Sequence, residues 1–175
     1  MMNRIKQTLA ATVITLLCGC ATTIDYMLVG TGTHRDNKIY AGIIRFDEKW
    51  SAATGVMTCC WEWATGTQSV YNVTPPKHLY VKWYDYDPGI YYEANVTLSE
   101  DLYEYATNLP PFRWVSSNEI QKNVRPYLII GFGERGEVVV WISNATDERN
   151  IEGRVLYEVG RAQATIVQPD ENGRG

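Results

Sequence analysis

Residues 127–142 read YLIIGFGERGEVVVWI, and the way this stretch folds decides the class of the whole chain. Its centre, GFGERG, matches G-x-G-x-x-G, the pattern that cradles a dinucleotide when a strand precedes it and a helix follows. The helix matters because its free N–H groups and its dipole hold the pyrophosphate. Tyr127 to Ile130 satisfies the first condition as a strand. The second condition fails, because Val138, Val139, Val140 and Ile142 are β-branched and poor helix formers. The stretch therefore predicts a β-hairpin with Glu134-Arg135-Gly136 as its loop. Gly131 and Gly133 are expected to supply positive φ or a bulge. No nucleotide, and no other cofactor, is expected.

Strand signals continue on either side. Lys38 to Phe46 is β-rich, and Val56 to Trp63 reads as a further short strand. From Leu79 the chain alternates, with Leu79, Val81 and Trp83 on one face and Tyr80, Lys82 and Tyr84 on the other. Asp87-Pro88-Gly89 is a turn. Beyond it Tyr92, Ala94, Val96 and Leu98 alternate against Tyr91, Glu93, Asn95 and Thr97. These residues predict a second hairpin with one core face and one tyrosine-rich polar face. Trp83 belongs to the core, as do Trp141 or the valines flanking it.

Helix signals are few. Ser99 can cap a helix carrying Glu100 and Asp101 in its first turn, with Leu102, Tyr105, Ala106 and Leu109 as its apolar stripe. Ser116 and Glu119 have capping-box spacing for a single further turn. The expected fold is a single α+β domain dominated by antiparallel β-sheet with one or two short helices.

The N-terminus has its own logic. Arg4 and Lys6 precede an uncharged apolar run from Leu9 to Leu17, too short to span a bilayer permanently. The run ends at Leu17-Cys18-Gly19-Cys20, which resembles the lipobox of bacterial lipoproteins. The resemblance implies cleavage before Cys20 and lipidation of its thiol. Ala21, rather than Asp, after the modified cysteine implies sorting to the outer membrane, on its periplasmic face. The expected layout is a signal peptide at 1–19, a lipidated tether at 20–35, a globular domain at 36–168 and a flexible tail at 169–175. The whole chain carries a formal charge of −4, and loss of Arg4 and Lys6 makes it two charges more acidic. Such a body repels phosphate backbones, so nucleic acid is not an expected partner.

Cys59 and Cys60 are adjacent in an oxidising compartment. Neighbours on a strand point to opposite faces. Two states follow: a vicinal disulfide on a turn-like backbone, or two separately buried thiols. Neither C-x-x-C nor a nearby His supports a metal site. The chain's histidines, His34 and His78, stand without a G-x-S-x-G elbow, so no serine-hydrolase constellation is legible. Asp85, Asp87 and Glu93 could flank a glycosidic bond, and Asp85 with Asp87 could hold calcium, but a solvated acidic turn explains them more simply. The chain reads as non-enzymatic, with no catalytic residue assigned. Tyr80, Tyr84, Tyr86 and Tyr91, with Asp85 and Glu93, form the candidate partner-binding surface, either exposed as a contact patch or covered by a neighbouring element.

The runs PPKHLYVKW, GIYYEA and YLIIGFGERGEVVVWI, followed by Glu158-Val159-Gly160-Arg161, resemble a family of bacterial lipoproteins called domain of unknown function 2931. The similarity covers about half the chain, from Pro75 to Ala164, and its motifs are structural. Family members are often encoded beside lipase effectors of the type VI secretion system. The resemblance thus implies an immunity protein, bound to the membrane through its lipid and to a secreted effector through its folded body. A structural or assembly lipoprotein of the envelope is the alternative, and a glycan-binding module a further one.

Overall fold

Strands make up nearly all of the regular structure in the computed structural model, which describes residues 22–34 and 37–169. Cys20 lies outside the described residues, as does the tail beyond Pro169. In chain order the elements are β1 (Ile24–Thr33), β2 (Ile39–Phe46), β3 (Trp50–Ser51), β4 (Gly55–Met57), β5 (Thr65–Val73), β6 (His78–Asp85) and β7 (Ile90–Thr97). They continue as α1 (Leu102–Thr107), β8 (Phe112–Trp114), β9 (Ile120–Gln121), β10 (Tyr127–Phe132), β11 (Glu137–Ser143), β12 (Ile151–Glu152), β13 (Leu156–Gln163) and β14 (Thr165–Val167). Among the described residues no helix is long and apolar enough to cross a membrane.

Two sheets enclose the main core. The first has the order β13-β11-β10-β1-β5, and the second β14-β7-β6-β2-β3, with β4 also pairing with β2. Alternation along each strand supplies the inner faces. Met27, Val29, Leu128, Ile130, Phe132, Val138, Val140 and Ile142 come from the first sheet. Ile44, Phe46, Leu79, Val81, Trp83, Tyr92, Ala94 and Val96 come from the second. Trp83 is 1% exposed, stacks on Tyr92 at 5.2 Å and meets Phe132 edge-on at 5.1 Å. At one side the chain passes directly from β13 to β14 and so from one sheet to the other. The small sheet β12-β8-β9 sits apart from both.

The class is β-dominated, narrower than the α+β expectation. α1 is six residues long, with Leu102 and Ala106 buried. The Ser99 hydroxyl accepts the Asp101 N–H at 3.1 Å instead of capping the helix further in. Residues 116–119 form no helical turn but the connection between β8 and β9. There the Ser116 N–H donates to the Asn150 side chain at 2.8 Å.

The segment expected to be tether, 20–35, requires the largest correction. Ile24–Thr33 is an interior strand, parallel to β10 from Leu28↔Tyr127 to Thr33↔Phe132 and antiparallel to β5. Met27, Val29, Thr31 and Thr33 face inward, and the Thr33 hydroxyl donates to the Phe132 carbonyl at 2.9 Å. The folded body therefore begins well before residue 36. Among the described residues the β1–β10 pair is parallel in an otherwise antiparallel arrangement.

Candidate functional site

The hairpin of residues 127–142 forms as expected, and β11 stands where a dinucleotide site needs a helix. Arg135 (φ 57°) and Gly136 (φ +86°) make its turn. Gly131 and Gly133 have a different purpose from the one expected, since Gly133 is extended with φ −88°. A Cβ on Gly131 would lie 2.5 Å from the Trp141 ring and 3.0 Å from Trp61. One on Gly133 would lie 3.2 Å from Trp61. Gly32, beside Gly131 in the register, lies directly under the Cys60 carbonyl. These glycines clear the outer face of the first sheet so that the loop at 58–64 can lie on it.

That loop carries the cysteines. The stretch Val56 to Trp63 is a strand only as far as Met57, and Cys59 and Cys60 are joined as a vicinal disulfide across a cis peptide. The structure thus selects the disulfide over two separate thiols. The Thr33 N–H donates to the Cys59 carbonyl at 3.3 Å, and the Trp63 N–H to the Cys60 carbonyl at 3.2 Å. Trp61 stacks on His34 at 4.3 Å and meets Trp141 edge-on at 5.0 Å. Trp141, Ile129, Val139 and Ala64 form a second small core beneath it. From above, Arg149 lies 4.5 Å over Trp63 and holds Asp147 through two N–H donors. The Arg149 guanidinium keeps the Asp147 carboxyl below the usual carboxylate range. Arg154 pairs with Glu148 at 2.9 Å and donates to the Glu62 carbonyl.

The tyrosine-rich face lies on the outside of the second sheet. Register places Val56 beside Tyr40, Tyr40 beside Tyr84, Tyr84 beside Tyr91, and Tyr91 beside Val167. Five apolar or aromatic side chains therefore cross β4, β2, β6, β7 and β14 in one row. Strands are spaced at about 4.8 Å, so the row is about 19 Å long. Tyr84 sits 4.6 Å from Tyr91 and 5.0 Å from Tyr86. Val56 is 55% and Tyr40 39% exposed while Tyr84, Tyr91 and Val167 are half-buried, so no other element among the described residues covers the row. Tyr40 and Val56 were not legible as partners in it, because only register brings their strands together.

Of the expected surface residues, Tyr80, Tyr84, Tyr91 and Glu93 share this face. Tyr86 continues it onto the turn, beneath the Lys38 ammonium at 4.6 Å. The Tyr80 hydroxyl donates to Glu93 at 3.1 Å, and Arg45 lies over its ring at 5.1 Å. Burial, followed by the Glu93 carboxylate, pushes the Tyr80 phenol above its ordinary range.

Asp85 does not belong to the surface. It is 5% exposed, and residues 79, 81, 83 and 85 alternate onto the core face of β6. Its carboxylate accepts the Asp87 N–H at 3.3 Å. Asp85 and Glu93 therefore cannot flank a glycosidic bond together, since the two point to opposite sides of the sheet. Among the described residues no group of three His, Cys, Asp or Glu side chains converges as a metal site.

Burial raises the Asp85 carboxyl above the usual carboxylate range, with the neighbouring Asp87 charge adding to the effect. In the unfolded chain the group ionises near pH ~4, before it does in the fold. The native state therefore binds the extra proton, and stability falls as pH rises through that interval. Asp85→Asn should abolish this contribution, so its stability relative to the parent should climb from about pH 4 upward. Urea midpoints across the acid range measure it, and parallel curves for the two proteins would remove the assignment.

Comparison with protein-family models, curated proteins and solved structures returns no match for the chain.

Proposed function

We propose that the chain is a non-enzymatic lipoprotein of the outer membrane whose folded body binds another protein in the periplasm. The observation that carries this reading is the exposed row from Val56 through Tyr40, Tyr84 and Tyr91 to Val167. Tyrosines bring large contact area at a low entropic cost, and interface hot spots draw on them. Lys82 and Glu93 border the row as its polar rim, and Arg45 with Tyr80 lies beyond them on the same face.

The resemblance to the lipoprotein family makes the reading concrete: the partner is a secreted lipase of the type VI system, and the chain is its immunity protein. Anchoring through Cys20 would place the binder where such a toxin acts and raise its effective concentration there. Deleting the gene is expected to sensitise cells to the lipase encoded beside it, and undiminished survival in its presence would refute the role. In solution, Tyr84→Ala and Tyr91→Ala should each weaken lipase binding by about 2 kcal/mol, roughly 30-fold. Ile120→Ala, in the separate small sheet, should leave titration calorimetry unchanged. Equal affinities for all three variants would remove the row from the interface.

A further inference from the structure

At the start of β1 a cleft of about 670 Å³ opens between that strand, β5, α1 and the segment leading into β10. Thr23, Asp25, Tyr26, Tyr71, Tyr103 and Arg125 line it. Tyr71 is 65% exposed, more than any other aromatic side chain among the described residues. It packs against Tyr26 at 5.0 Å, and the Arg125 guanidinium lies 4.9 Å over the Tyr26 ring. We propose that this cleft is the face the protein lays on the bilayer interface.

The first support is covalent. Cys20 precedes Thr23 by three residues, and three Cα–Cα steps span at most about 11 Å. An acylated Cys20 therefore holds the Thr23 lip of the cleft within headgroup reach. The proposal rests on that acylation and adds an orientation to it. The second support is the chemistry of the lining. Tyrosine prefers the headgroup layer, where its ring meets hydrocarbon and its hydroxyl meets water. Three tyrosines line one cleft here. Arginine suits the same layer, since its stem can lie in apolar surroundings while its fork meets phosphate. Asp25, also exposed, complements the ammonium of a zwitterionic phospholipid. Past the opposite end of β1, the turn between β10 and β11 presents the exposed Glu134 and Arg135.

The test uses the full lipidated chain in vesicles of phosphatidylethanolamine and phosphatidylglycerol. Thr107→Cys and Asn123→Cys place an environment-sensitive fluorophore at exposed positions lining the cleft. Glu134→Cys places it at the far turn. Blue-shifted emission and protection from aqueous quencher at 107 and 123, but not at 134, are expected. Water-like emission at all three positions on acylated protein would overturn the orientation while leaving the anchor intact. Intact mass is measured first, and a chain unmodified at Cys20 would overturn the anchor and the orientation together.

Discussion

Replacing Trp83 with alanine should remove about 3–5 kcal/mol of folding stability, the range for deleting a large buried aromatic. Trp83 is the bulkiest fully buried side chain, wedged between Tyr92 on its own sheet and Phe132 on the other. Its removal leaves a cavity between two sheets whose backbones are fixed by their ladders, so collapse is limited. A domain of this size would lose about 10 °C in melting temperature. Calorimetry and urea titration measure the loss. A decrease below about 1 kcal/mol would mean that the sheets can close over the gap, contrary to the packing described.

Gly32→Ala should cost about 3 kcal/mol, although it adds a single methyl group. The new carbon would press on the Cys60 carbonyl and stand 2.9 Å from the Trp63 carbonyl. Both obstacles are main chain, in a loop tied down by the Thr33 N–H on the Cys59 carbonyl and by Arg154, so neither can swing aside like a side chain. The loop must lift, and Trp141 loses its cover. Gly66→Ala provides the contrast. Gly66 has φ +60° with open space around it, so alanine there meets only the left-handed penalty of about 1–2 kcal/mol. Gly32→Ala should also perturb near-ultraviolet circular dichroism through Trp61 and Trp141, whereas Gly66→Ala should not. Matching losses for the two variants would show that the loop is not seated on the glycine track.

Both hairpins were legible because local pattern and tertiary demand agree in them. Leu79, Val81 and Trp83 alternate with polar residues, and the valines of β11 leave no helical reading. Where the two diverge, the sequence misleads. β1 contains Gly30, Thr31, Gly32 and Thr33, which resemble a linker, yet Gly30 and Gly32 are small because the loop at 58–64 lies against them. β5, TGTQSVYNV, shows no apolar alternation because it is an edge strand paired on one side. The Cys59-Cys60 segment looks like strand by composition, and only its seat on a distant sheet face explains the loop. Asp85 was within reach: its odd number in the Leu79-Val81-Trp83 series already pointed inward. The turn at Asp87-Pro88-Gly89 drew the eye away from it. The aromatic row combines two halves, tyrosines visible in the β6–β7 hairpin and neighbours supplied by strand register.

The early entry of the chain into β1 has a mechanical corollary. A sixteen-residue leash at 20–35 would have let the body roam about 22 Å from the proposed lipid. With Ile24 already sewn to Val73, that leash shrinks to the four residues 20–23. The strand then runs ten residues, about 30 Å, to the level of Phe132, against which Trp83 packs, and Tyr84 of the row follows Trp83 on the opposite face of the second sheet. Under the proposed anchoring at Cys20, β1 would act as a rigid mast, and a molecule bound by the tyrosines would be held at a set height above the membrane rather than trailed from a string.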